Sequence, residues 1–207
     1  MKFDFRVSNQ IFKPTFGKIE LGTVSVRKND GGMEDVKLVE YESDDVADIK
    51  QLKGVQNSWN VKARFINNIM TAFLEDNCDN IYGLENSDGD TLVLADVCNM
   101  QYYGTRKEYC GSPCINIDLI QVNPIEKYLS TDESKKRYKG LGEAMVSEIA
   151  KIAKDEGVNF INTTSANEGF WVSSGLFDII NPDMEGGVLP DRMLPSSKYD
   201  DYIKYVE

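Results

Sequence analysis

The sequence predicts an α/β (α+β) chain, and three adjacent segments carry that expectation. Ile115 to Val122 is β-branched and apolar and is closed by Pro124, which reads as a strand. Arg137 to Gly142 is a basic, glycine-punctuated turn that runs straight into a helix. Leu141, Met145, Ile149 and Ile152 share one helical face, Glu143, Glu148, Lys151 and Lys154 the other, and Gly157 ends the helix. Val158 to Ile161 then reads as a second strand. The unit is strand, turn, helix, parallel strand.

The turn has a chemical meaning. N–H groups at a helix start lack intrahelical partners, and the helix dipole favours anions there. Four of the five residues from Lys135 to Lys139 are cationic, in a chain of net charge -11. A dinucleotide-binding fingerprint would need a third glycine where Met145 stands, and a Walker loop would need Gly-Lys-Ser/Thr after its glycines. Neither is present, and Arg-x-x-Gly-x-Gly remains.

On this motif, and on Asn167 to Phe177 with its Asn, aromatic pair and Gly-aromatic end, the chain resembles the GNAT superfamily of acyl-CoA-dependent N-acyltransferases. The resemblance spans roughly Val36 to Phe177 by element order. It implies a mixed, mostly antiparallel twisted sheet, a central parallel strand pair splayed at the coenzyme A site, and helices on both faces. It implies acetyl-CoA as co-substrate, with the pyrophosphate on Arg137, Tyr138, Lys139, Gly140, Leu141 and Gly142. Backbone groups near Ile120, Gln121 and Val122 would pair with pantetheine, and one N–H would polarise the thioester carbonyl. Asn167 would contact the pantetheine arm, flanked by Phe170 and Trp171. Two departures stand out. Twelve residues, Ile125 to Lys136, separate Pro124 from Arg137, and Trp171 occupies a position where many members carry a tyrosine acid.

The other elements follow from patterning. Residues 1–35 are expected to form a β extension packed on the core, with alternation at Phe3, Phe5 and Val7 and again from Lys18 to Val26. Residues 36–207 are expected to form the acetyltransferase-like domain. Val36 to Tyr41 reads as its first strand, and Ser43 caps a short helix ending at Gly54. A longer helix is expected from Trp59 to Asp76, its apolar stripe forming core. Ile81–Leu84 and Thr91–Val97 are strands joined by a hairpin turn at Asn86 to Gly89. Met100 to Tyr109 reads as a polar loop or hairpin, and Tyr199 to Tyr205 as a strand or short helix.

Composition narrows the chemistry. There is no histidine, so the commonest general base is missing. Cys110 and Cys114 are the only close cysteine pair, and with no second pair and no histidine the expectation is no metal. No apolar run suits a bilayer and no signal-peptide core follows Met1, so the expectation is a cytoplasmic protein without membrane contact. The acidity argues against nucleic acid as partner and is compatible with a cationic amine acceptor or with solubility alone. A homodimer stays open.

Acyl transfer to an amine needs a base. Asp118 is the first candidate, placed by alternation on the strand face of Asn116, Ile120 and Val122. The competing reading is an ion-paired or solvent-facing aspartate, and Asp96 is the reserve. Tyr102, Tyr103 and Tyr138 are candidate acids, with Ser173 or Ser174 relaying through water. The functional expectation is an N-acetyltransferase acting by direct attack in a ternary complex. The alternative is an acyl-CoA-binding domain of the same fold that senses or recruits without catalysis.

Overall fold

The computed structural model describes residues 17–59, 66–74, 79–104, 106–124, 137–164, 168–179 and 191–207. The strand readings at Phe3 to Val7 and the connection over 125–136 lie outside these residues. Among the described residues, nine strands form one sheet in the order β6-β1-β2-β3-β4-β5-β7-β9-β8. They are β1 (Ile19–Lys28), β2 (Met33–Tyr41), β3 (Asp79–Glu85), β4 (Thr91–Gln101), β5 (Pro113–Val122), β6 (Tyr138–Lys139), β7 (Phe160–Thr164), β8 (Asp178–Ile179) and β9 (Asp191–Pro195). All neighbours pair antiparallel except β5 and β7, which are parallel. The mostly antiparallel sheet with a central parallel pair is as the resemblance implies. Position 35 falls inside β2, so β1 and β2 are one hairpin continuous with the sheet.

Helices cover both faces because strands buried on two sides carry apolar residues at odd and even positions alike. α1 (Val46–Trp59) and α2 (Ile66–Leu74) enclose Val39, Tyr41, Ile81 and Leu94 on one face. On the other, α3 (Leu141–Asp155) and α5 (Tyr199–Val206) bury Val26, Leu84, Val93, Ile117 and Ile161 against Met145 and Ile149. A short helix, α4 (Glu168–Val172), brings Trp171 into that second cluster. Each such buried aliphatic or aromatic side chain contributes about 1.5–3 kcal/mol over exposure.

Several boundaries differ from the sequence reading, each for a local reason. Asp45, not Ser43, caps α1: its Oδ1 accepts from the N–H of Ala47 and of Asp48. The helix continues through Gly54, because burial of Leu52 and Trp59 outweighs a glycine cost of about 1 kcal/mol. Trp59 thus belongs to α1, α2 covers Ile66–Leu74 of the expected longer helix, and positions 60–65 and 75–76 of that helix lie outside the described residues. β4 extends to Gln101, and only the short turn Lys107–Tyr109 is helical in the expected loop. β7 starts at Phe160 because Val158 is still used by α3, its N–H donating to Ala153 O. The C-terminal segment is a helix. Asn86 Oδ1 accepts from the N–H of Asp88 and of Asp90, which shapes the expected β3–β4 turn.

A buried polar cluster ties the N-terminal hairpin and α1 to the sheet. The carboxylate of Glu85 accepts from Lys18 Nζ at 2.5 Å, Tyr41 Oη at 2.6 Å and Gln51 Nε2 at 2.6 Å. Burial first, and the Glu85 charge second, push the Tyr41 hydroxyl well above its ordinary range, so it stays a donor. Asp48, also buried, accepts from the N–H of Lys18 and of Glu42.

Cys110 is exposed and Cys114 is buried beside Phe160, and both are free thiols. Among the described residues no cluster of His, Cys, Asp or Glu could hold a metal ion, and no helix is long and apolar enough to cross a membrane.

Replacing Glu85 by Ala is expected to cost about 3–5 kcal/mol, because it strands a buried donor set. Replacing Lys37, whose pair with Glu20 is exposed on both sides, is expected to leave the unfolding midpoint nearly unchanged. Urea unfolding of both variants checks the contrast. Burial pushes the Cys114 thiol up to about 12. Its neutral form therefore supports the fold in full below the thiol's unfolded range, and that support is lost as pH rises toward 12. Alkylation of the native protein at pH 8, mapped by mass spectrometry, is expected to label Cys110 and spare Cys114.

Candidate functional site

The site begins where β5 and β7 part. They pair in register from Cys114 with Phe160 to Ile117 with Thr163, and no further. Two features end the pairing. Against β4, Val97 faces Ile117 and the next position, Asp96, faces Leu119, so Asp118 is an extra residue in β5. Such a bulge bends the strand and increases its twist. At the same level Thr163 Oγ1 donates to the Ile117 carbonyl at 2.9 Å, giving that oxygen a side-chain partner.

Beyond the bulge the backbone polarity can be read from one bond. Asn123 N–H donates to Leu92 O, so position 123 points toward β4. Alternation then turns the N–H and C=O of Val122 and Ile120 to the open side, and those of Gln121 toward its β4 partner Leu94. Gln121 reaches the open side only by its side chain, whose Nε2 donates to Val122 O at 2.8 Å.

The start of α3 closes on this opening. Gly140 adopts a left-handed φ of 68°, which favours glycine, and Ala144 N–H donates to Gly140 O at 2.9 Å. The N–H groups of Leu141, Gly142 and Glu143 precede that first bond and have no intrahelical acceptor. A Cβ on Gly142 would lie 3.0 Å from the Phe170 ring and 3.7 Å from Val122. Strand β5, the α3 start and α4 thus meet at Val122, Gly142 and Phe170.

The expected anion-binding turn is partly something else. Tyr138 and Lys139 form β6, paired with Lys28 and Arg27 of β1. Tyr138 is buried and its Oη donates to Glu34, and Leu141 also packs into the core. Arg137 Nη2 donates to Tyr138 Oη and lies 3.8 Å from the Asp88 carboxylate, with Nη1 3.9 Å from that of Asp90. Among the residues of the turn, Arg137, Lys139 and Gly140 are exposed.

The bulge also corrects the face assigned to Asp118. Ile120 and Val122 pack with Ile117 toward α3, while Leu119 packs toward α1 and α2. Asp118 keeps company with Asn116 alone of the three, and it is exposed, not enclosed in an apolar strand. Asn162 Nδ2 donates to Asn116 Oδ1 at 2.8 Å, and Asn116 Nδ2 donates to Asp118 Oδ1. This relay crosses the parallel pair one position before it opens, and the sequence reading missed it. Its signal was present: Asn116 and Asn162 are amides inside otherwise apolar strands. Asp96 is the buried carboxylate, directly opposite Leu119.

The remaining candidates scatter. Trp171 is enclosed edge-on by Phe170 at 4.7 Å and Phe177 at 5.1 Å, which leaves Phe170 as the aromatic against Gly142. Tyr102 packs edge-on to Phe160, and Tyr103 is exposed with its hydroxyl on Gln101. Ser173 Oγ donates to Phe170 O and Ser174 Oγ accepts from Leu176 N–H. Asn167 lies outside the described residues.

No protein-family model matches the chain, and no curated protein matches it. Solved structures do. The crystal structure of a bacterial toxin shares 8% identity at a TM-score of 0.55, over 82% of this chain and 96% of that one. A mutant of the AtaT toxin bound to acetyl-CoA and the C-terminus of its antitoxin AtaR shares 13% at 0.53, over 83% and 99%. AtaT complexed with acetyl-methionyl-tRNAfMet shares 10% at 0.51, over 80% and 98%. At these identities the likeness establishes architecture alone: the chain has the fold shared by these toxin structures.

Proposed function

We propose that this protein transfers an acetyl group from acetyl-CoA to a primary amine in a ternary complex. One observation carries the reading: β5 and β7 part beyond Ile117 and Thr163, and Gly142 brings the start of α3 against Val122 at that opening. An open parallel pair offers extended backbone partners, and a helix start offers N–H groups for a diphosphate. Both belong to one ligand with a peptide-like arm and a phosphate tail. The complexes of AtaT with acetyl-CoA and with acetyl-methionyl-tRNAfMet support it from outside the chain.

The residues fit that ligand in the following roles. The N–H groups of Leu141, Gly142 and Glu143 receive the diphosphate, with Lys139 adding charge beside them. Arg137 joins by releasing its contacts to Asp88 and Asp90, which are exposed and weak. The open-side groups of Ile120 and Val122 hold the pantetheine arm, and one of their N–H groups stabilises the developing oxyanion. Phe170 covers the arm at Gly142. Bound acetyl-CoA would supply the activated acyl group.

In the transfer, the amine nitrogen forms the C–N bond as the C–S bond breaks and the thiolate leaves. A thiol of pKa about 8.5 leaves without an enzyme acid, so Trp171 in place of a tyrosine does not forbid the reaction. The amine must lose a proton, and Asp118 is the base we assign, held by the Asn162–Asn116 relay. The acceptor is a cationic amine, because Asp118 is exposed at the bulge where the parallel pair ends and the chain carries net charge -11. That charge sets it apart from an RNA-borne acceptor such as the one in the AtaT complex.

Calorimetry with acetyl-CoA tests the donor site. Gly142→Asp places bulk and negative charge against Phe170 and the phosphates, and at least roughly tenfold weaker binding is expected. Unchanged affinity would refute the assignment. For catalysis, thiol release is measured across small amines, polyamines, basic peptides and aminoacyl-tRNA. Asp118→Asn is expected to lower kcat roughly hundredfold while acetyl-CoA affinity holds. Tight acetyl-CoA binding with no thiol release from any acceptor would favour the binding domain without catalysis.

A further inference from the structure

The opening between β5 and β7 has two rims, and each carries a carboxylate. The strands last pair at Ile117 and Thr163, and the next residues are Asp118 on β5 and Thr164 on β7, both exposed. Ile117 and Ile161 pack toward α3, so alternation sets Asn116, Asn162 and Thr164 on the opposite face of the sheet. Side-chain bonds join the residues of that face. Asn162 and Asn116 form the relay to Asp118, and Thr164 Oγ1 donates at 3.0 Å to Oδ1 of Asp191, its partner on β9. A polar stripe therefore crosses β5, β7 and β9 with an aspartate at each end.

The stripe has a one-sided chemistry. Asn162 Nδ2 already serves Asn116, Asn116 Nδ2 serves Asp118, and Thr164 Oγ1 serves Asp191. The groups that stand over are acceptors. Asn162 Oδ1 is buried and has no hydrogen-bond partner, and it lies on the strand between the two carboxylates. A buried amide oxygen without a donor is costly. Asp191 is half-buried, and among the described residues it has no ion pair. A ligand that matches this row donates N–H along its length and is cationic at both ends.

Spacing and direction agree with that. Neighbouring strands lie about 4.8 Å apart, so β5 and β9, on either side of β7, are about 10 Å apart. Two nitrogens joined by four or five methylenes, at about 1.5 Å per bond, cover that interval with hydrogen-bond reach at each end. On the acetyl-transfer reading the donor's diphosphate sits at the α3 start, on the far face. An amine that attacks the thioester in the opening therefore arrives over the stripe.

We propose that the acceptor is a linear aliphatic diamine or polyamine, with its reacting nitrogen at Asp118 and a second cationic nitrogen at Asp191. Asp191, held by Thr164, is then a specificity-determining residue. The inference rests on the acetyl-transfer reading and narrows its acceptor.

Thiol release from acetyl-CoA is measured with diaminobutane and with butylamine, which lacks the second nitrogen. The native protein is expected to show roughly tenfold higher kcat/KM for the diamine, as one charge-assisted hydrogen bond supplies. Asp191→Asn keeps the side chain's shape and an oxygen for Thr164. It is expected to erase the preference by raising KM for diaminobutane alone, with acetyl-CoA affinity held in calorimetry. Asp201→Asn makes the same charge change on exposed α5 and is expected to keep the preference. A native ratio near one, or a ratio that persists in Asp191→Asn, overturns the inference and leaves acetyl transfer standing. So does equal weakening of both amines in that variant, or an equal loss of preference in Asp201→Asn, which would mark the general field of an acidic chain. Thiol release from basic peptides or aminoacyl-tRNA but from neither amine overturns it too. If no acceptor releases thiol, the transfer reading itself falls, and this inference with it.

Discussion

One extra residue in a central strand organises this site. Up to Ile117, β5 lies between β4 and β7 with partners on both sides. At Asp118 the register against β4 slips by one, and contact with β7 ends at the same level. A bulge bends and twists its own strand, whereas β7 follows its own partner β9 from Phe160 to Thr164. Two neighbours with different curvature separate. The separation exposes backbone groups of Ile120 and Val122 in the middle of an otherwise paired sheet. Unpaired backbone there is costly unless water or a ligand meets it, so the bulge leaves these groups in need of such a partner.

The core on both faces keeps that fault local. On the α3 side, Ile117, Ile120 and Val122 all contribute to one cluster with Met145 and Ile149, so the strand cannot drift after the bulge. On the other side Leu119 joins the cluster of α1 and α2. The amides of Asn116 and Asn162 bridge the pair one position before the last and deliver a donor to Asp118. At the far edge, β6 ties the segment before α3 to β1, and Asn29 N–H donates to Arg137 O. The helix start is therefore positioned from two directions, by Phe170 and Val122 at Gly142 and by the N-terminal hairpin at Lys139.

Much of this was legible in the chain. Strand, turn, helix and parallel strand could be read from apolar spacing and glycine punctuation, since both follow from local geometry. The Asn86 turn and the α3 stop at Gly157 were legible for the same reason. Errors fell where a distant partner decided the outcome. Gly54 stays helical because of what Leu52 and Trp59 pack against. Tyr138 packs into the core because β1 pairs beside it. The face of Asp118 was misread because alternation assumes a strand without a bulge, and no pattern within β5 announces one.

The sequence by itself determined the class of fold, the order of its central elements and the position of a glycine-rich helix start, because spacing and residue type act within a turn or two of backbone. It also determined which residues are available, through the absence of histidine and the excess of carboxylates. Only the tertiary structure decided which backbone groups face the opening between β5 and β7, which carboxylate is buried and which exposed, and that Asp191 meets Thr164 at its rim. Each of those depends on register between segments far apart in the chain. Register follows from the packing of both sheet faces at once, which no single segment encodes.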